Sequence, residues 1–168
     1  MVLVGVGTVA YVLIAATGTR EDAYDPWVTL NVADYAPGEW RRVELSGEPY
    51  IVHRLTGEDL RRAASVPLHV SDGQTVEARV TMVPIEAGTA FAPFAIHRAI
   101  DNRNFCMVSR VRNGMDGAAW MDPCHGSRFD ALGRRLKGPA LELPRPRTRL
   151  RDGELQVATD EMLRRSAG

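Results

Sequence analysis

Trp120-Met-Asp-Pro-Cys-His-Gly-Ser-Arg-Phe-Asp130 is the most informative run of the chain, and Gly133 and Lys137-Gly-Pro-Ala-Leu141 follow it. A cysteine directly before a histidine is a concentration of ligand-type side chains. Glycine and proline crowd the stretch from Pro123 to Pro146, so it reads as loop rather than as a regular element. The whole chain holds only two cysteines and four histidines, so any chemistry that needs several of them is tightly bounded.

Outward from that run, the chain is ordinary in composition. Its 168 residues suffice for one domain plus a short appendage, and 45% hydrophobic content rules out a disordered chain. Lys plus Arg and Asp plus Glu number 21 each, so no basic excess exists to drive nucleic-acid binding. Residues 1–18 carry no charge, and at 1.5 Å per residue a helix there spans about 27 Å, close to a bilayer core. A membrane span, a signal peptide and a buried core segment all remain open for it. The span fits best, because no positive region precedes the apolar run and no polar face interrupts it. Residues 19–26 read as a linker, 27–160 as a head and 161–168 as a tail.

Within the head, Trp27–Leu30 and Trp40–Leu45 alternate apolar and polar residues as strands do, with Pro37-Gly38 as a turn between them. Ser46-Gly47-Glu48-Pro49 reads as a second turn and Tyr50–Leu55 as a third strand. Thr56 then caps a short helix to Ala64, with Glu58 and Asp59 in its first turn and Arg61 and Arg62 toward its end. Alternation returns from Val76 to Ile85, and Phe91 to Ile100 is another apolar run. The expected fold is mostly β with one helical excursion.

The run Asp122-Pro-Cys-His-Gly-Ser-Arg-Phe-Asp130, then Gly138-Pro-Ala-Leu141, resembles the second cluster box and proline loop of the Rieske iron–sulfur proteins of quinol–cytochrome c oxidoreductases. The family's box reads C-P-C-H-G-S-x-[YF]-D and its loop G-P-A-P. Gly47-Glu-Pro-Tyr-Ile-Val-His-Arg-Leu-Thr56 is similar to the family's strand leading into a helix. The resemblance implies a Rieske-type antiparallel β head with a short helical insertion, preceded by a single N-terminal transmembrane helix. It places a cluster-binding-like subdomain at about 93–141. It further implies the membrane and cytochrome b and cytochrome c1 as partners, and a head in the periplasm or intermembrane space.

The ligand positions depart from the family. A Rieske centre needs two Cys and two His ligands, and the family supplies them as C-x-H-x-G-C and C-P-C-H, with the remaining two cysteines joined as a disulfide. No cysteine here lies two or three residues before a histidine. Cys106 aligns either with the first ligand cysteine or, preferably, with the disulfide cysteine of the first box. On the preferred alignment Asp101 and Asp122 stand at the ligand cysteines, Arg103 stands at the first ligand histidine, and His125 alone is retained. The resemblance then implies a Cys106–Cys124 disulfide. Carboxylates are hard donors and a guanidinium has no lone pair. The sequence therefore predicts no cofactor, although the family's is a 2Fe–2S cluster, and a non-catalytic accessory subunit of a respiratory or photosynthetic complex. The family's usual electron transfer from quinol to cytochrome c1 is the alternative. A facial set of Asp101, Asp122 and His125 around one metal is a weaker third reading. Arg103 is expected to pair with Asp101 or Asp122, or else Phe105, Trp120 and Phe129 to close over the pocket. His53, His69 and His97 are expected to be structural.

Overall fold

The computed structural model describes residues 24–67, 73–85, 90–111 and 117–167. Its centre is a four-stranded antiparallel sheet in the order β2-β3-β5-β4, formed by β2 (Trp40–Leu45), β3 (Glu48–Arg54), β4 (Thr81–Ile85) and β5 (Ala90–Arg98). Side chains alternate across a strand, and here both faces are buried. Tyr50, Val52, Phe94 and Ile96 enter one core, where Leu155 and Val157 meet them. Ile51 and Ala95 enter the other, with Trp120, Phe129, Leu132 and Leu143. Burial on both faces explains why β3 and β5 read as nearly continuous apolar runs. Each fully buried Ile, Val or Phe there contributes about 1.5–3 kcal/mol.

The first core is covered by β1 (Val28–Leu30), β10 (Arg147–Arg151) and β11 (Glu154–Ala158), a three-stranded sheet in the order β1-β11-β10. The second is covered by α1 (Gly57–Ser65) and by a small sheet of β6 (Ser109–Arg110), β7 (Trp120–Met121), β8 (Arg128–Phe129) and β9 (Arg135–Lys137). α1 starts as its sequence predicts. Asp59 N–H donates to Thr56 Oγ1 at 3.1 Å, and Thr56 N–H donates to Asp59 Oδ2 at 2.8 Å, a reciprocal cap.

The structure adjusts several expected elements. β3 begins at Glu48, because Ser46 and Gly47 alone make the turn, with φ of 52° and 76°. Two such residues in succession match the right-handed twist of the flanking strands. The stretch from Val76 splits, since a 3-10 turn at Glu77–Arg79 precedes β4. It draws Arg79 inward, where the guanidinium donates to Leu143 O at 2.8 Å. The β10–β11 hairpin turns on Asp152-Gly153, with φ of 53° and 81°, a dipeptide that is itself a hairpin signal. α2 (Asp160–Ser166) runs across the expected boundary between head and tail.

Among the described residues no helix is long and apolar enough to cross a membrane. The anchor expected at residues 1–18, most of the linker, and His69 lie outside the described residues.

Candidate functional site at the tip of the small sheet

Two short loops leave the small sheet side by side. One runs from Asp101 to Cys106 between β5 and β6, the other from Asp122 to Ser127 between β7 and β8. Both close in the same way. Asp101 N–H donates to Cys106 O at 3.0 Å, and Asp122 N–H donates to Ser127 O at 2.8 Å, each across five residues. In each loop one oxygen of the leading aspartate accepts the next free backbone donors. Asp101 Oδ1 takes Arg103 N–H at 3.0 Å and Asn104 N–H at 2.7 Å. Asp122 Oδ1 takes Cys124 N–H at 2.7 Å and His125 N–H at 3.3 Å. The two loops are thus built on one frame, and the sequence makes it from an aspartate two and three residues before the donors it caps.

Cys106 and Cys124 are joined by a disulfide with Cα atoms 6.3 Å apart. A third segment covers the pair. Gly138, at φ 98°, packs so close to Ser127 that a Cβ would lie 2.5 Å from its Cα, and Ala140 N–H donates to Ser127 Oγ at 3.1 Å. Only glycine tolerates that approach together with that φ.

Both expectations for filling the pocket need correction. Arg103 meets neither carboxylate through its side chain; its guanidinium donates to Pro139 O at 2.8 Å instead. At Asp101 the reason is that the carboxylate is already engaged by three backbone donors, Cys106 N–H at 3.1 Å on Oδ2 being the third. Phe105 does not close over the loops. It is 72% exposed and sits at φ 54°, and Met107 and Leu141 are also exposed, at 42% and 51%. Trp120 and Phe129 are fully buried beneath the loops. The structure also does not gather Asp101, Asp122 and His125 into a facial set. Asp122 and His125 meet, with His125 Nδ1 3.4 Å from Asp122 Oδ2, whereas both oxygens of Asp101 serve its own loop.

Below the tip, His53 and His97 flank Trp120 edge-on, with ring centroids 5.9 and 5.6 Å from it. Burial pushes His53 down to about 4, only partly offset by the Asp59 carboxylate, and His97 down to about 3. Both rings are therefore neutral packing groups at neutral pH. Gly133, at φ 75°, crosses over His97 with room for no Cβ, the nearest ring atom lying 2.9 Å from where one would stand. Two residues that sequence reasoning passed over fasten this base. Arg134 Nε donates to the buried Asp130 Oδ2 at 2.7 Å, and its guanidinium reaches Gln74 O and Ala63 O, tying the small sheet to the end of α1. Asp130 stood in the quoted run, and an Asp four residues before an Arg was the available signal.

No protein-family model matches the chain. Curated relatives do. The ubiquinol–cytochrome c reductase iron–sulfur subunit of Cereibacter sphaeroides is 30% identical over 131 residues, which are 71% of this chain and 67% of that protein. The subunit of the same name from Rhodospirillum rubrum is 32% identical over 122 residues, 70% of this chain and 62% of that protein. The mitochondrial Rieske subunit of the cytochrome b-c1 complex from Solanum tuberosum is 28% identical, covering 68% of this chain and 41% of its own length. A solved plasma membrane Rieske protein from Synechocystis overlaps 71% of this chain and 86% of its own at 19% identity, with a TM-score of 0.41, a loose fit that adds nothing further.

These relatives overturn the expectation that no cofactor belongs here, since they are named iron–sulfur subunits. The tip's own donors differ from a two-cysteine, two-histidine set: both thiols are in the disulfide, Asp101 is saturated by backbone donors, and Arg103 is engaged by Pro139. Sequence similarity at this identity and coverage nonetheless settles descent, and the chain belongs to the family of Rieske iron–sulfur subunits of ubiquinol–cytochrome c reductase.

Proposed function

We propose that the chain serves as a Rieske-type subunit of a cytochrome bc1-class complex. In that role the 1–18 run is its membrane anchor, and the head lies on the periplasmic or intermembrane-space side, where the disulfide persists. The observation that carries this reading is the tip. Two loops on one hydrogen-bonded frame, tied by Cys106–Cys124, leave Phe105 and the adjoining Met107 exposed, and Leu141 of the third segment is exposed as well, which we read as an apolar rim. A rim of that kind on a rigid support is suited to docking against membrane-embedded subunits. Its role there is accessory, holding a docking position. A second reading, electron transfer from quinol to cytochrome c1, is favoured by the names of the relatives.

Affinity purification of the tagged full chain from detergent-solubilised membranes tests the proposal. Cytochrome b and a c-type cytochrome should co-purify, and Phe105→Asp with Leu141→Asp should release them. A chain recovered alone, or one that stays soluble without detergent, overturns it. EPR on the purified complex decides between the two readings: a Rieske signal that follows this subunit supports the carrier role.

A further inference from the structure

Among the described residues, Cys106 Sγ, Cys124 Sγ and a carboxylate oxygen of Asp122 lie within 4.8 Å of one another. Asp122 is fully buried, and only one of its oxygens is satisfied. Oδ2 makes no hydrogen bond, although it is shut away from solvent. A buried carboxylate oxygen without a donor costs roughly 1–3 kcal/mol or more, so its retention calls for a partner. His125 Nδ1 lies 3.4 Å from it, on a ring that is half exposed. Two sulfurs and a carboxylate oxygen therefore converge on one point, which the disulfide at present holds closed, and the His125 ring lies beside the carboxylate.

We propose that reduction of the Cys106–Cys124 disulfide turns the tip into a site for a single zinc-class divalent cation, held by the two thiolates, Asp122 and His125. A protein or small-molecule dithiol supplies two electrons and two protons. Its own sulfurs join as a disulfide, the Cys106–Cys124 bond breaks, and each sulfur leaves as a thiol. Cys124 is exposed and so is the sulfur a dithiol reaches. Metal binding then expels the two thiol protons to solvent. Thiolate, imidazole and carboxylate are all ligands of tetrahedral zinc, at about 2.0–2.3 Å, which puts ligand atoms roughly 3.3–3.8 Å apart. The three clustered atoms already lie within 4.8 Å, the two sulfurs must part from bonding distance once reduced, and the half-exposed His125 ring must swing in as the fourth ligand. The first loop takes part through Cys106 alone, because Asp101 has no oxygen to spare. This set joins the two disulfide cysteines to one metal ion and is distinct from a two-iron centre. It does not depend on membership in a complex.

Anaerobic cobalt(II) titration tests it, using the full chain in detergent, reduced with a dithiol and desalted. The reduced protein should show a sulfur-to-cobalt charge-transfer band and the intense visible bands of tetrahedral cobalt, saturating at one equivalent and abolished by zinc(II). The oxidised protein should show neither. Asp122→Asn and His125→Ala should each weaken cobalt binding by more than the roughly 10–100-fold that outer-shell changes cost, whereas Arg103→Gln should leave it unchanged. Octahedral cobalt only, equal binding by the oxidised chain, or undiminished binding by Asp122→Asn overturns the proposal. So does loss of the near-UV tryptophan signal on reduction without recovery on adding zinc. Co-purification with cytochromes is read separately, so either proposal can fail alone.

Discussion

The two tip loops share a frame but differ in what their aspartates have left over. Asp101 gives both oxygens to three backbone donors of its own loop, and Asp122 gives one oxygen to two. The difference arises at the loops' far ends. In the first, Cys106 turns its N–H back toward Asp101 Oδ2. In the second, Gly126 N–H bonds to the Asp122 backbone carbonyl at 2.9 Å, and Asp122 Oδ2 is left without a donor. A carboxylate with both oxygens engaged by its own loop is a structural brace. One with a buried oxygen left without a donor is poised for a partner, and the same residue type stands in both positions 21 residues apart.

The sharpest way to break the comparison is Asp101→Ala. It strands three backbone donors, one of them in a buried residue, and should cost about 4 kcal/mol at roughly 1–3 kcal/mol per unsatisfied group. Urea unfolding should show it, with Asp122→Ala costing roughly half as much. An equal loss from the two variants would mean that the loops are braced alike.

Acid acts on the floor beneath both loops and should not distinguish them. His53 and His97 are held neutral by burial, with values of about 4 and about 3. The unfolded chain takes the proton first, below about pH 6.5, so this stability is complete above that pH and is lost as pH falls toward the folded values. His53 alone should remove about 3 kcal/mol between pH 7 and pH 4. Unfolding midpoints measured across that range should fall, and His53→Phe should flatten the slope. A parent protein with no pH dependence there would show that the ring is not held neutral.

The disulfide couples the loops, and its removal tests whether each stands alone. Cys106→Ser with Cys124→Ser opens an 18-residue separation, which the chain-entropy estimate values at about 3 kcal/mol. The head should remain folded, since domains of this size hold about 5–15 kcal/mol. Hydrogen exchange should quicken at the loop amides and leave Trp120 and the central sheet protected. Fast exchange throughout would make the disulfide a prerequisite of the fold.

The smallest effects sharpen the contrast most. Asp101→Asn must turn its amide toward a backbone N–H whichever way it sits, and should cost about 2 kcal/mol. Asp122→Asn keeps Oδ1 on its two donors and faces its amide toward the His125 ring, at a cost below about 1 kcal/mol. Equal losses in thermal unfolding would remove the distinction between the two oxygens.

Much of this architecture was legible residue by residue. Thr56 three residues before Asp59 makes a reciprocal cap wherever it occurs, and Ser46-Gly47 turns a hairpin because those φ values suit few other pairs. The quoted run carried the family, and with it the pairing of Cys106 and Cys124. Asp152-Gly153 was just as readable and marked the hairpin that was passed over.

Local chemistry determines caps, turns and alternation, because their donors and acceptors lie within a few residues of each other. Tertiary structure alone decided that Arg103 reaches Pro139, that Arg134 ties the small sheet to α1, and that His53 and His97 meet at Trp120. Each of those contacts spans dozens of residues and competes with equally plausible partners nearby. The spare oxygen of Asp122 arises within its own loop, but its burial belongs to the same class, because only the folded chain shuts that carboxylate away from water.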